Sequence, residues 1–258
     1  MNTQEPEEFY VGYLPKAPRG IAGAVRRAIV GLLAIAAVAA VALVFGQHRF
    51  AASYFEFGNV REFEGELIET PFPHLLVRRD KAAKLALPFT TYALVGEGKH
   101  GVAAEVAGFG GRRVKLRGTL IHRDDTSMIE VVTGSISTAS AAQGESLTGP
   151  TLETLGEQTL AGEIVDSKCY LGVMNPGHTK PHRECASLCI RGGIPPLFVV
   201  KDAEGHSVNL WLVSDTGEPV NQQVLDFVAE PVQITGQVNR SGDQLYLYAN
   251  PQTIRQRK

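Results

Sequence analysis

Apolar and polar positions fall into two regimes along this chain. From Ala28 to Phe45 the run AIVGLLAIAAVAAVALVF holds no charged residue and shows no polar face, and it is long enough to cross a bilayer as a helix. Beyond Gln47 the pattern changes to short alternating runs. Phe63-Glu64-Gly65-Glu66-Leu67-Ile68-Glu69 and Val114-Lys115-Leu116-Arg117-Gly118-Thr119-Leu120 read as half-buried strands, with one face inward and one wet.

Both runs have a second copy. The first matches Leu160-Ala161-Gly162-Glu163-Ile164-Val165-Asp166, and the second matches Val232-Gln233-Ile234-Thr235-Gly236-Gln237-Val238. Between them, Gly98-Lys99-His100-Gly101-Val102 answers Glu204-Gly205-His206-Ser207-Val208 at an expected hairpin turn. Three matches in one order indicate a duplication. A helix is expected over Pro219 to Val228, where Val220, Val224, Phe227 and Val228 share a helical face.

The fold class read from this pattern is mainly β: an N-terminal transmembrane helix followed by two tandem OB-like small β-barrels, with a β-sandwich as the alternative. The boundaries are a cytoplasmic segment 1–27, a span 28–46, a first barrel 47–133, a Gly/Ser/Thr-rich linker 134–157 and a second barrel 158–258.

Charge orients the span. Lys16, Arg19, Arg26 and Arg27 precede it and only His48 and Arg49 follow closely, so the basic bias holds the N-terminal side in the cytoplasm and places the barrels outside, as a single-pass protein of the inner (cytoplasmic) membrane. A cleaved signal peptide is the competing reading, although its apolar region is ordinarily shorter. Arg26-Arg27 also resembles a twin-arginine export signal, but the positive-inside rule accounts for the pair without it.

The chain has 258 residues, 44% of them apolar, and a net charge of −2. That is ample for a core and gives no basic surface for a polyanion. Nucleic acid is excluded as a partner, because the basic aromatic groove of a strand binder is absent. The partners expected are the lipid bilayer, through the one helix, and a membrane protein complex.

All three cysteines fall between Asp166 and Pro196. Pro181 opens and Gly192-Gly193 closes a short expected helix, which puts His182, Cys185 and Cys189 on one face. Cys169, directly after a strand, completes a Cys3His set for zinc, an iron–sulfur cluster or copper. His178 is an alternative or outer ligand, Met174 a weak axial one, and Lys168 and Arg183 would flank the thiolates. The first copy has no cysteine, so the chemistry is assigned to the second.

The alternative is a disulfide from Cys169 to Cys185 or Cys189 with one thiol left over. C-x-x-C and C-x-x-C-H are both missing, which excludes a thioredoxin-type dithiol and covalent haem. The C-x3-C spacing of Cys185 and Cys189 resembles that of copper-delivery proteins for oxidase assembly, though His182 and Met174 precede the pair instead of following it. An enzyme with Cys185 as nucleophile and His182 as base lacks an identifiable acid or oxyanion donor.

Asp166-Ser167-Lys168-Cys169, His182-Arg183-Glu184-Cys185-Ala186-Ser187-Leu188-Cys189 and Gly192-Gly193-Ile194-Pro195 together resemble a D-x-x-C, H-x-x-C-A-x-x-C, G-G-x-P pattern of an uncharacterised family of bacterial membrane-anchored or exported proteins. The resemblance implies an exported domain. The function expected from the residues is a metal or redox centre serving electron transfer or redox assembly in a membrane complex. Its alternative is a non-catalytic accessory subunit with a structural disulfide.

Overall fold

The structure is a computed structural model that describes residues 19–48, 53–79, 87–139, 149–202 and 206–257. Lys16, Arg49, Glu204, Gly205 and residues 140–148 of the expected linker lie outside them. The chain separates into two units, Met1–Ala51 and Ala52–Lys258.

In the first unit α1 (Arg19–His48) is one helix of 30 residues. At 1.5 Å per residue it extends about 45 Å, longer than a bilayer's hydrocarbon core. Its Leu32, Leu33, Ile35, Val38, Leu43 and Phe45 are all exposed. By length and composition it can cross a membrane, a criterion that a signal sequence also meets.

The second unit begins with β1 (Ser53–Phe55), followed by the five strands of a closed barrel: β2 (Arg61–Ile68), β3 (His74–Arg78), β4 (Phe89–Val95), β5 (Arg113–Arg123) and β6 (Thr126–Val131). A single turn of helix, α2 (Ala103–Val106), lies between β4 and β5. Around the barrel the order is β5-β2-β3-β4-β6, closed by β5 on β6. All neighbours are antiparallel except β4 and β6. β1 and β7 (Ser137–Thr138) extend β5 outside the barrel.

The second barrel repeats this plan with β8 (Leu152–Asp166), β9 (Pro196–Lys201), β10 (Ser207–Val213), β11 (Pro231–Ser241) and β12 (Gln244–Tyr248). Its order is β11-β8-β9-β10-β12, again closed by the last two strands and again parallel only between the third and fifth. β13 (Arg255–Gln256) pairs with β11. β7 and the start of β8 fall within the stretch read as linker.

The duplicated sequences occupy equivalent strands in one register, since Gly65 pairs with Val114 and Gly162 with Val232. A Cβ at either glycine would stand 2.3 Å from a carbonyl oxygen of the next strand, that of Leu76 or of Val199. No side chain fits there, so the sharp coiling of the first strand selects glycine in both copies.

Two sequence expectations need correction. Gly98 to Val102 follows β4, the third strand, whereas 203–206 joins β9 to β10, the second and third; these turns are not equivalent. The two barrels differ in the connection between their first two strands, residues 69–73 in one and 167–195 in the other. Pro219 to Val228 forms turns and one 3-10 turn, Leu225–Phe227, instead of a helix. Val220, Val224 and Val228 are buried as expected. Their β-branched side chains disfavour helix, and Asn221 Nδ2 donates to the carbonyls of Ile190 and Ile194, so tertiary contacts set the backbone.

Each barrel has its own core, the first around Leu67, Leu75, Leu94 and Ile129 and the second around Ile164, Phe198, Leu210 and Leu247. A third core joins them: Phe72, Val95, Ile121 and Met128 of the first barrel pack with Tyr170, Leu171, Leu197 and Trp211 of the second. The rings of Phe72 and Trp211 are 4.7 Å apart, and the indole N–H donates to Gln244 Oε1 at 2.8 Å. At roughly 2 kcal/mol per buried large side chain, this junction outweighs any exposed ion pair across it.

Candidate metal centre

The site is built in the connection from β8 to β9, at the seam between the barrels. β8 ends at Asp166, which is fully buried and uses both carboxylate oxygens. Oδ1 accepts from the Cys169 backbone N–H at 2.8 Å, and Oδ2 lies 3.1 Å from His182 Nε2. One carboxylate thereby fastens the turn that carries Cys169 to the helix that carries the other cysteines. Ser167 Oγ closes the connection at its far end by donating to Pro195 O at 2.7 Å.

Cys169 opens a wide single turn, Cys169–Val173. A 3-10 turn, Lys180–His182, then runs into α3 (Arg183–Arg191). Cys185 and Cys189, four residues apart, share a face of α3. Cys189 is buried among the residues of the shared core, Cys185 is half-buried, and Leu188 points to solvent.

The three cysteine sulfurs lie within 4.8 Å of one another, and the ligand atoms of Asp166, Cys169 and His182 form a second triad of the same compactness. The triads share Cys169 and do not merge into one set of four among the described residues. All three cysteines are free thiols. The expected ligands are thus gathered as Cys169, Cys185 and Cys189 on one side, with His182 held to Asp166 on the other. His178 stands apart, half-buried with its ring 6.2 Å from that of Tyr170, on a cleft of ≈ 250 Å³ that Glu163, Lys201 and Arg257 also line. Met174 is exposed.

The expected flanking cations do not face the sulfurs. Lys168 is buried and donates to the carbonyls of Gly96 and Gly98 at 2.8 and 2.7 Å, with Glu130 at 3.3 Å. Arg183 donates to Glu230 Oε1 at 2.7 Å and to Asp226 O at 3.1 Å. The cation at the thiols is Lys99, from the loop after β4 of the first barrel. Its Nζ is 2.7 Å from Cys185 Sγ and 3.9 Å from Cys189 Sγ. The assignment of all the chemistry to the second copy therefore needs amending.

Gly192-Gly193 seats that loop. The Gly101 N–H donates to Gly192 O at 2.9 Å. A Cβ on Gly192 would stand 2.0 Å from Lys99 O, and one on Gly101 would stand 2.4 Å from Gly193 O. The glycine pair both ends α3, with Gly193 at φ 99°, and lets the two backbones touch.

Hydrogen bonding and burial divide the thiols. The Cys169 S–H donates to Cys189, which pushes the Cys169 pKa far up, and burial and the Asp166 charge push it further. The same bond lowers Cys189, helped by Lys99 against the opposing effects of burial and Asp166. Lys99 is raised in turn, chiefly by its bond to Cys185. These shifts favour negative charge at Cys189 over Cys169, beside the Lys99 ammonium, and leave a proton to release when a metal binds.

The D-x-x-C spacing carries a signal for Asp166, because a carboxylate accepting the N–H three residues on is the geometry of a helix cap. Lys99 has no signal in its own neighbourhood; only the docking of one barrel on the other brings it here. No protein-family model, no curated protein and no solved structure matches the chain, so the geometry of this thiol cluster carries the functional argument.

Proposed function

We propose that this chain is a membrane-anchored metal-binding protein whose centre is formed by Cys169, Cys185 and Cys189. The observation that carries the reading is the meeting of three free sulfurs, delivered by two separate elements and fixed by a buried carboxylate. Three convergent thiols are a soft donor set suited to zinc, copper or iron. The strand order of both barrels supports an OB-like identity. Positive residues before the span support an extracytoplasmic body. There the centre serves electron transfer or redox assembly within a membrane complex. A reporter active only in the cytoplasm, fused after Lys258, should stay silent; strong activity would refute that orientation.

A second reading rests on the contact between Cys169 and Cys189, which brings two sulfurs close enough to exchange a hydrogen bond. If they bridge, the cluster is a staple for an accessory subunit and Cys185 is the spare thiol. Serine variants separate the two. Under the metal reading Cys169→Ser, Cys185→Ser and Cys189→Ser each lose bound metal and lower the unfolding temperature together. Under the staple reading Cys185→Ser is near neutral while the other two match each other.

A further inference from the structure

We infer that the centre is three-coordinate and built for a cuprous ion, with Lys99 of the first barrel standing as a counter-charge where a fourth ligand would otherwise enter. The inference rests on the metal reading above and names the ion.

A trigonal centre with metal–sulfur bonds of about 2.3 Å sets its sulfurs about 4 Å apart. The three sulfurs here, all within 4.8 Å of one another, fit one ion. A 4Fe–4S cluster would anchor each cysteine on a separate iron, and a 2Fe–2S cluster would divide three cysteines over two irons, so either spreads them wider than a single ion does.

The fourth corner decides between the remaining ions. Structural zinc takes four protein donors in a tetrahedron. The nearby nitrogen donor, His182, has Nε2 on Asp166, and its ring nitrogens do not join the three sulfurs in one compact set among the described residues, so the sulfurs close on one another without it. Lys99 occupies the approach to Cys185 and Cys189. An ammonium has no lone pair, so it cannot ligate, and it repels a dication twice as strongly as a monocation at the same distance.

Charge balance agrees. A cuprous ion with three thiolates carries a net charge of −2, and the ammonium offsets half of it. Zinc with three thiolates and a neutral fourth ligand would have less need of a cation. The backbone of the loop bearing Lys99 is clamped through Gly96, Gly98 and Gly101 onto Lys168 and Gly192, which sets the root of this exposed side chain beside Cys185.

The test uses the full chain, reduced and purified in detergent under anaerobic conditions. It is offered cuprous and zinc ions together, each buffered by a chromophoric chelator. Wild type should take up copper, and X-ray absorption at the copper edge should show three sulfur neighbours and no nitrogen. Lys99→Met should weaken copper binding about tenfold, the loss of one charge-assisted hydrogen bond, while Lys99→Arg stays close to wild type. Retention of zinc over copper, a nitrogen donor in the spectrum, or unchanged copper affinity in Lys99→Met would overturn the inference while leaving the metal reading in place. Uptake of neither ion would overturn both.

Discussion

At the scale of single residues, a second buried imidazole besides His182 sits against Phe72 of the junction. His74, at the start of β3, is buried, with Nδ1 donating to Phe72 O at 2.9 Å. Burial lowers its pKa against a small opposing pull from that carbonyl. Above the ordinary histidine value of about 6.5 the ring is neutral in both folded and unfolded chains, and pH has no effect through it. Below that value the unfolded chain takes up a proton that the folded chain refuses, so stability falls with pH until the lowered folded value is passed. Thermal unfolding followed from about pH 7.5 to about pH 5.5 should show this loss in wild type and a smaller one in His74→Gln. Equal slopes would remove His74 as the cause. The same scale shows what a sequence conceals. The cysteines announced themselves by type and spacing, whereas Lys99 is one ordinary lysine among 25 Lys and Arg residues, and its partner Cys185 lies in the other barrel.

Elements were legible where a local steric or conformational rule acts on its own. Pro181 and Gly192-Gly193 framed α3 because proline suits a first helical turn and glycine an end. The repeated glycines of β2 and β8 marked equivalent strands because each must pass a neighbouring carbonyl without a side chain. The segment after Pro219 failed for the complementary reason: its valines satisfy a helical spacing, but Asn221 and the second barrel's core fix the backbone from outside. Gly192 combines both kinds of constraint. Its φ of −76° suits any residue, so alanine there is penalised chiefly by the Lys99 carbonyl 2.0 Å from the new Cβ. Gly192→Ala should therefore cost about 1 to 3 kcal/mol of overpacking and weaken metal binding as the Lys99 loop is pushed off. Gly149→Ala, at a position with open space, should change neither. Denaturant unfolding and metal titration of the two variants check this, and indifference at Gly192 would mean that the loop yields freely.

On the scale of the whole molecule, two barrels of one plan are unequal. One has a short connection between its first two strands, and the other has the long one that holds all three cysteines. The barrels did not remain separate beads, because Phe72, Tyr170, Leu197 and Trp211 weld them into a single unit. That weld puts the first barrel's Lys99 on the second barrel's thiols. The sequence pattern revealed the repeat, but it matched two turns that join different strands and divided the chain at a linker, so it assigned the site to one side of it. A division by composition cannot see a core assembled from residues that are each apolar for an unremarkable local reason. The measurement that bears most directly on the account is the metal content per chain of the full protein, extracted in detergent without chelator, compared with that of Cys185→Ser. The account predicts close to one ion per chain in wild type and essentially none in the variant; wild-type protein that binds no metal even when reduced and supplied with it, or a variant that binds as much as wild type, would contradict it.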